Sequence, residues 1–140
     1  MILITTCTSG CFFFVACVTR WKLLFVTMGT LSAINHVNTV RDSFGKRWPL
    51  AKHVNKVDTY WAHYITVHLS CIAMHECLME DFNILLGLYW LCVAYIIWVF
   101  KIGRQADILG RTGELFHGST HVASSLGTLC LEWHLYNCVN

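Results

Sequence analysis

The chain has 140 residues, of which 56% are hydrophobic and 13% charged, with a single proline and a mean hydropathy of +0.52. This lies outside the ordinary usage of soluble domains. A formal charge of +2 is too small to drive binding to nucleic acid. The apolar runs are continuous and do not alternate with polar positions, which speaks against a small soluble domain and predicts an all-α integral membrane bundle.

A bilayer core of about 30 Å takes roughly 20 apolar residues as a helix. Five segments approach that length, at about residues 2–18, 23–37, 57–77, 83–102 and 115–136, and together they form one transmembrane helical domain over residues 1–140. The first two are short and are separated by the turn Thr19-Arg20-Trp21-Lys22. The fourth is the most apolar, with no charge from Ile84 to Phe100. Met1 to Val18 lacks the basic start that precedes the apolar stretch of a signal peptide, so a first span is the preferred reading.

If the five spans alternate, the segments 38–56 and 103–114 share one side and the turns 19–22 and 78–82 share the other. Arg41, Lys46, Arg47, Lys52, Lys56, Lys101, Arg104 and Arg111 fall on the first side, against Arg20 and Lys22 on the second. The excess of basic residues makes the first side cytoplasmic and places the N-terminus there. Trp21, Trp48, Tyr60, Trp61, Trp98, Trp133 and Tyr136 are expected near the interfaces.

Eight cysteines fall in or beside the apolar runs and form no C-x-x-C pair, so most are expected to be small buried thiols. The eight histidines are an excess, and imidazole is the commonest protein metal ligand. Ser32 and His36 lie one turn apart near the end of the second span, and Asp58 opens the third. His117 and His121, again one turn apart, open the fifth span. With alternating spans all five polar groups share one depth on the cytoplasmic side. Polar groups within spans are costly and commonly face the bundle interior or a functional cavity.

A catalytic zinc site takes about three nitrogen or carboxylate ligands and keeps one position open. Two histidines at i and i+4 put both imidazoles on one side of a helix, where they can share a metal. Hydrogen bonding between helices is the plain alternative for the three histidines. For Asp58 the alternative is a first-turn acid at a helix N-terminus, and for Ser32 a bond to its own helix backbone. His63 and His68 point in different directions on the third span, so at most one faces the site. His53, His75 and His134 read as structural. Glu132 is expected to reach the outer interface, and the small residues Gly118, Ser119, Ser124, Ser125 and Gly127 suit close helix packing.

A serine four residues before a histidine late in the second span, an aspartate entering the third and a closing His-x-x-x-His resemble the superfamily that unites alkaline ceramidases, progestin and adipoQ receptors and haemolysin III proteins. The resemblance covers roughly residues 29–134. It includes the basic, proline-containing stretch Arg47-Trp48-Pro49 to Val57-Asp58 and the closing Phe116-His117-Gly118-Ser119-Thr120-His121.

Such a resemblance, here reduced to about five helices, implies Zn2+ held by His36, His117 and His121, with Asp58 and Ser32 beside the metal-bound water that acts as nucleophile. The implied function is a zinc-dependent membrane hydrolase of a lipid amide, with a membrane lipid as substrate. A non-catalytic receptor or scaffold with a structural zinc is the second implied class. A small metal-free helical membrane protein is the third reading, and it holds if the histidines do not converge.

Overall fold

The computed structural model describes residues 3–43, 49–79, 83–103 and 111–139. Five helices account for nearly all of them: α1 (Leu3–Val18), α2 (Lys22–Ser43), α3 (Ala51–Met79), α4 (Ile84–Gly103) and α5 (Arg111–Val139). No strand occurs among the described residues. The only proline, Pro49, lies in the turn before α3, so no helix interior loses a backbone donor to it. Asn83 caps α4, its side-chain oxygen accepting from the amides of Leu85 and Leu86 at 3.0 and 3.1 Å.

The main helix contacts follow the ring order α1, α2, α3, α4, α5 and back to α1. The α4–α5 contact is the most extensive and the α3–α4 contact the slightest. Thr8 meets His121 and Arg20 meets Glu132, offsets of 113 and 112 residues, so α1 and α5 run parallel and in register. A closed ring of an odd number of helices, each antiparallel to the next in sequence, must contain one such parallel pair.

Phe12, Val15, Phe25, Ile65, Leu69, Leu86, Tyr89 and Leu131 form the core inside the ring. A Cβ built on Gly127 would lie 3.1 Å from Cys92 Cβ, so this glycine sets the close approach of α5 to α4. Ser119 adds a bond across the same pair of helices, 2.7 Å from the Tyr95 hydroxyl. The expected packing role of these small residues is thus seen at Gly127 and Ser119.

Three of the helices, α2, α3 and α5, are longer than the apolar runs suggest, whereas α1 and α4 match them closely. The segment expected as a long loop at 38–56 shortens, because α2 continues to Ser43 and α3 begins at Ala51. Asp58 therefore sits two turns inside α3 instead of opening it, and His53 lies on a helix. The thiols also differ from expectation: Cys7, Cys17 and Cys71 are exposed, and Cys11, Cys77, Cys92 and Cys130 are half-buried. Apolar character along a run did not separate the inner from the outer face of each helix.

Among the described residues one helical window, Ile84–Lys101, is long and apolar enough to cross a membrane, and Thr5–Val18 is apolar but shorter.

Candidate metal centre

His36 comes from the last third of α2, and His117 and His121 from the early part of α5. Each offers one nitrogen, and the three nitrogens lie within 4.8 Å of one another. The ring centroids are 5.1 Å apart for His36 and His117, 5.4 Å for His36 and His121, and 4.9 Å for His117 and His121. His36 and His121 are buried, and His36 Nε2 has no protein partner. Three imidazoles gathered around an unsatisfied buried nitrogen fit a metal ion, because a buried polar atom without a partner is costly and coordination would satisfy it.

Asp58 is buried on α3. Asn35, the neighbour of His36, donates its amide to Asp58 Oδ2 at 2.7 Å, and Asp58 Oδ1 is buried without a partner. A carboxylate held by one oxygen keeps the other available for a proton or a ligand. The first-turn explanation for Asp58 no longer applies, since the helix dipole acts mainly within the first turn.

A cavity of about 210 Å³ joins these elements. Asn35, Asp58, His117, Thr120 and His121 give it a polar end, while Phe12, Phe25, Met28, Ile65, Ile96 and Phe100 supply apolar wall. Its exposed lining residues include Thr59, His63 and Val67 on α3 and Ile97 and Phe100 on α4, so its mouth lies along the α3–α4 seam. That is where the ring is least tightly closed.

Ser32 stands apart from this cavity. It is fully buried against α1, 2.9 Å from the hydroxyl of Ser9. Ser9 donates to the carbonyl of Thr5 at 2.9 Å, which leaves Ser32 as the donor in the serine pair. The structure thus brings His36, His117 and His121 together, puts Asp58 in the same cavity as the α5 pair, and turns the Ser32 hydroxyl towards α1.

Of the remaining histidines, His63 lines the cavity and donates Nδ1–H to the Thr59 carbonyl at 2.7 Å. His68 stacks on Tyr64 with centroids 5.9 Å apart. His134 and His75 flank Glu76 at the other end of the bundle, at 3.6 and 3.5 Å, and Asn83 lies 2.6 Å from His134 Nδ1. Glu132, expected at an interface, pairs with Arg20 at 3.1 Å.

Asn35, Thr8 and Ser9 escaped the sequence reading. Thr8 Oγ1 lies 3.1 Å from His121 Nδ1, and the Phe12 ring packs on His121 with centroids 5.0 Å apart. The available signal was the spacing of Thr5, Thr8, Ser9 and Phe12, which puts three hydroxyls and one ring on a single face of α1. No protein-family model, curated protein or solved structure matches this chain.

Proposed function

We propose that this chain is a multispan membrane protein that binds zinc through His36, His117 and His121 and hydrolyses a lipid amide. One observation carries this reading: a three-imidazole cluster adjoins a cavity that also contains a buried carboxylate and apolar walls. Three protein ligands with space beside them are the pattern of a catalytic zinc site, whereas a structural site is closed by a fourth ligand.

When bound, zinc supplies Lewis acidity and brings the pKa of a water molecule down to about 7. Asp58 then takes the proton of the attacking water and returns it to the departing amine as the C–N bond breaks. Asn35 orients that carboxylate. The apolar wall accommodates an acyl chain, with the amide at the polar end.

Membrane embedding is supported by the composition of α4 and by the large apolar side chains that face outward, among them Phe14, Leu23, Val67, Leu91, Ile97 and Trp133. Thr30, Thr59, Thr66 and Thr128 return their hydroxyls to a carbonyl of their own helix four residues back, which satisfies them without water. Lys52, Lys56 and Lys101, exposed towards the end of the bundle that carries the cluster, support a cytoplasmic site.

The test is zinc content and fatty-acid release from a lipid amide by detergent-purified protein, with His117→Ala alongside. About one zinc per chain together with hydrolysis, both lost in the variant, is the expected result; no metal in either protein overturns it. A structural zinc in a receptor or scaffold is the second reading. It is favoured by the engagement of Ser32 with Ser9, and metal retention without hydrolysis would select it.

A further inference from the structure

The first helix precedes the stretch that carries the histidine and aspartate motifs, yet it supplies a contact to one of the three imidazoles. Thr8 Oγ1 lies 3.0 Å from the Thr5 carbonyl and 3.1 Å from His121 Nδ1. A threonine hydroxyl has one proton and can also accept. The Thr5 carbonyl can only accept, so a proton directed to it leaves the Thr8 oxygen as an acceptor for the ring. In that arrangement, with the Thr5 carbonyl shared between Thr8 and Ser9, His121 Nδ1 carries the hydrogen and its Nε2 is bare.

We infer that Thr8 is a positioning residue, which holds His121 in the Nδ1–H tautomer and turns an unprotonated Nε2 towards His36 and His117. The metal role of that nitrogen rests on the zinc reading above; the tautomer itself does not. Two further observations agree with it. Phe12, one turn beyond Thr8 on the same face of α1, packs on the His121 ring and restricts its rotation. His36 Nε2 is buried without a hydrogen-bond partner, so no bond from His121 Nε2 to that atom competes with this tautomer.

The opposite arrangement, with Thr8 donating to Nδ1, would place an N–H among the other two imidazoles. That tautomer cannot ligate through Nε2. Outer groups that bond the second nitrogen of a metal-binding histidine fix its tautomer and orientation, and their loss typically costs about 10–100-fold in metal affinity.

Two measurements test this. Nitrogen-15 NMR of the metal-free protein with labelled histidine, His121 being assigned with His121→Gln, should show His121 protonated at Nδ1. Thr8→Val should give a tautomer mixture and Thr8→Ser should restore the wild-type signal. In zinc titrations against a chromophoric chelator, Thr8→Val should lose about 10–100-fold in affinity. Thr8→Ser and the distant Thr30→Val should stay close to wild type.

A wild-type His121 protonated at Nε2, or a Thr8→Val spectrum identical to wild type, overturns the inference. So does a Thr8→Ser affinity as low as that of Thr8→Val, which would assign the effect to the threonine methyl. If wild type shows the stated tautomer but binds no zinc, the hydrolase reading fails and the role of Thr8 stands. Should Thr8→Val not fold, the wild-type and Thr8→Ser spectra still decide.

Discussion

Asn35 donates its side-chain amide to Asp58 Oδ2 at 2.7 Å, tying the residue before His36 on α2 to the buried carboxylate of α3. The bond leaves Oδ1 as the free oxygen of the cavity's only buried acid among the described residues. On the proposed hydrolase reading, Asp58→Asn keeps the shape and withdraws the carboxylate, and should lower lipid-amide turnover by about 10²–10⁴-fold. Asn35→Leu should lower it less, by about 10–100-fold, since one hydrogen bond to a charged group is worth about 1.5–3 kcal/mol. Rates at saturating substrate, with zinc content measured in parallel, check both; a fall in zinc content with Asp58→Asn would instead make Asp58 a ligand.

The histidine cluster predicts a metal that depends on all three rings. His36→Ala, His117→Ala and His121→Ala should each reduce bound zinc well below the wild-type level of about one per chain, because three ligands leave no spare. Acidification should release the metal and a return to neutral pH should restore it, since protons and zinc compete for the same nitrogens. Metal analysis after dialysis at each pH reads this. Retention of zinc by the His36→Ala variant would remove α2 from the site.

Two glycines make opposite predictions. At Gly127 a Cβ meets Cys92 Cβ at 3.1 Å, so Gly127→Ala requires α4 to give by a few tenths of an ångström and should cost about 1–3 kcal/mol. At Gly10 a Cβ meets nothing within 4 Å, and Gly10→Ala should gain about 0.5–1 kcal/mol by restricting the unfolded chain and favouring helix. Thermal unfolding in one detergent should therefore move down for the first and up for the second. Equal shifts would mean that close packing at Gly127 is not what holds α4 to α5.

At the far end of the bundle, Asn83 serves two partners at once. Its oxygen caps α4, so its amide nitrogen must be the group that faces His134 Nδ1 at 2.6 Å. Asn83→Ser keeps a cap but withdraws the amide from a ring that is 1% exposed, and should cost about 1–3 kcal/mol. Asn83→Ala should cost about 1 kcal/mol more through the lost cap. Unfolding midpoints of the two variants, each repeated in a His134→Leu background, separate the contributions; an undiminished cost of Asn83→Ser in that background would show that the pair is not coupled.

The apolar runs were legible as five helices because hydrophobic length is a local property of the chain. Helix ends were not: α2 and α3 extend through polar residues such as Asn38 and Asn55, whose hydropathy resembles that of a loop. The same limit misplaced Asp58 at a helix start. The spacing of His117 and His121 put both on one face of α5, and alternation of the helices put His36 at the same end. Ser32 looked equivalent to His36 by spacing, but its hydroxyl is directed to Ser9, a partner 23 residues away that no local pattern shows.

By itself, then, the sequence determined five helices and no strand among the described residues, and that His36, Asp58, His117 and His121 lie towards one end of the bundle. Only the tertiary structure decided that α1 and α5 lie parallel and adjacent, that Thr8 hydrogen-bonds a clustered histidine while Ser32 bonds Ser9, and that the cavity has its mouth between α3 and α4. The reason is physical. Periodicity fixes which residues share a face, whereas the choice of neighbour for each face depends on packing around a closed ring, where glycine contacts, ring stacking and hydroxyl pairs are made between residues far apart in the chain.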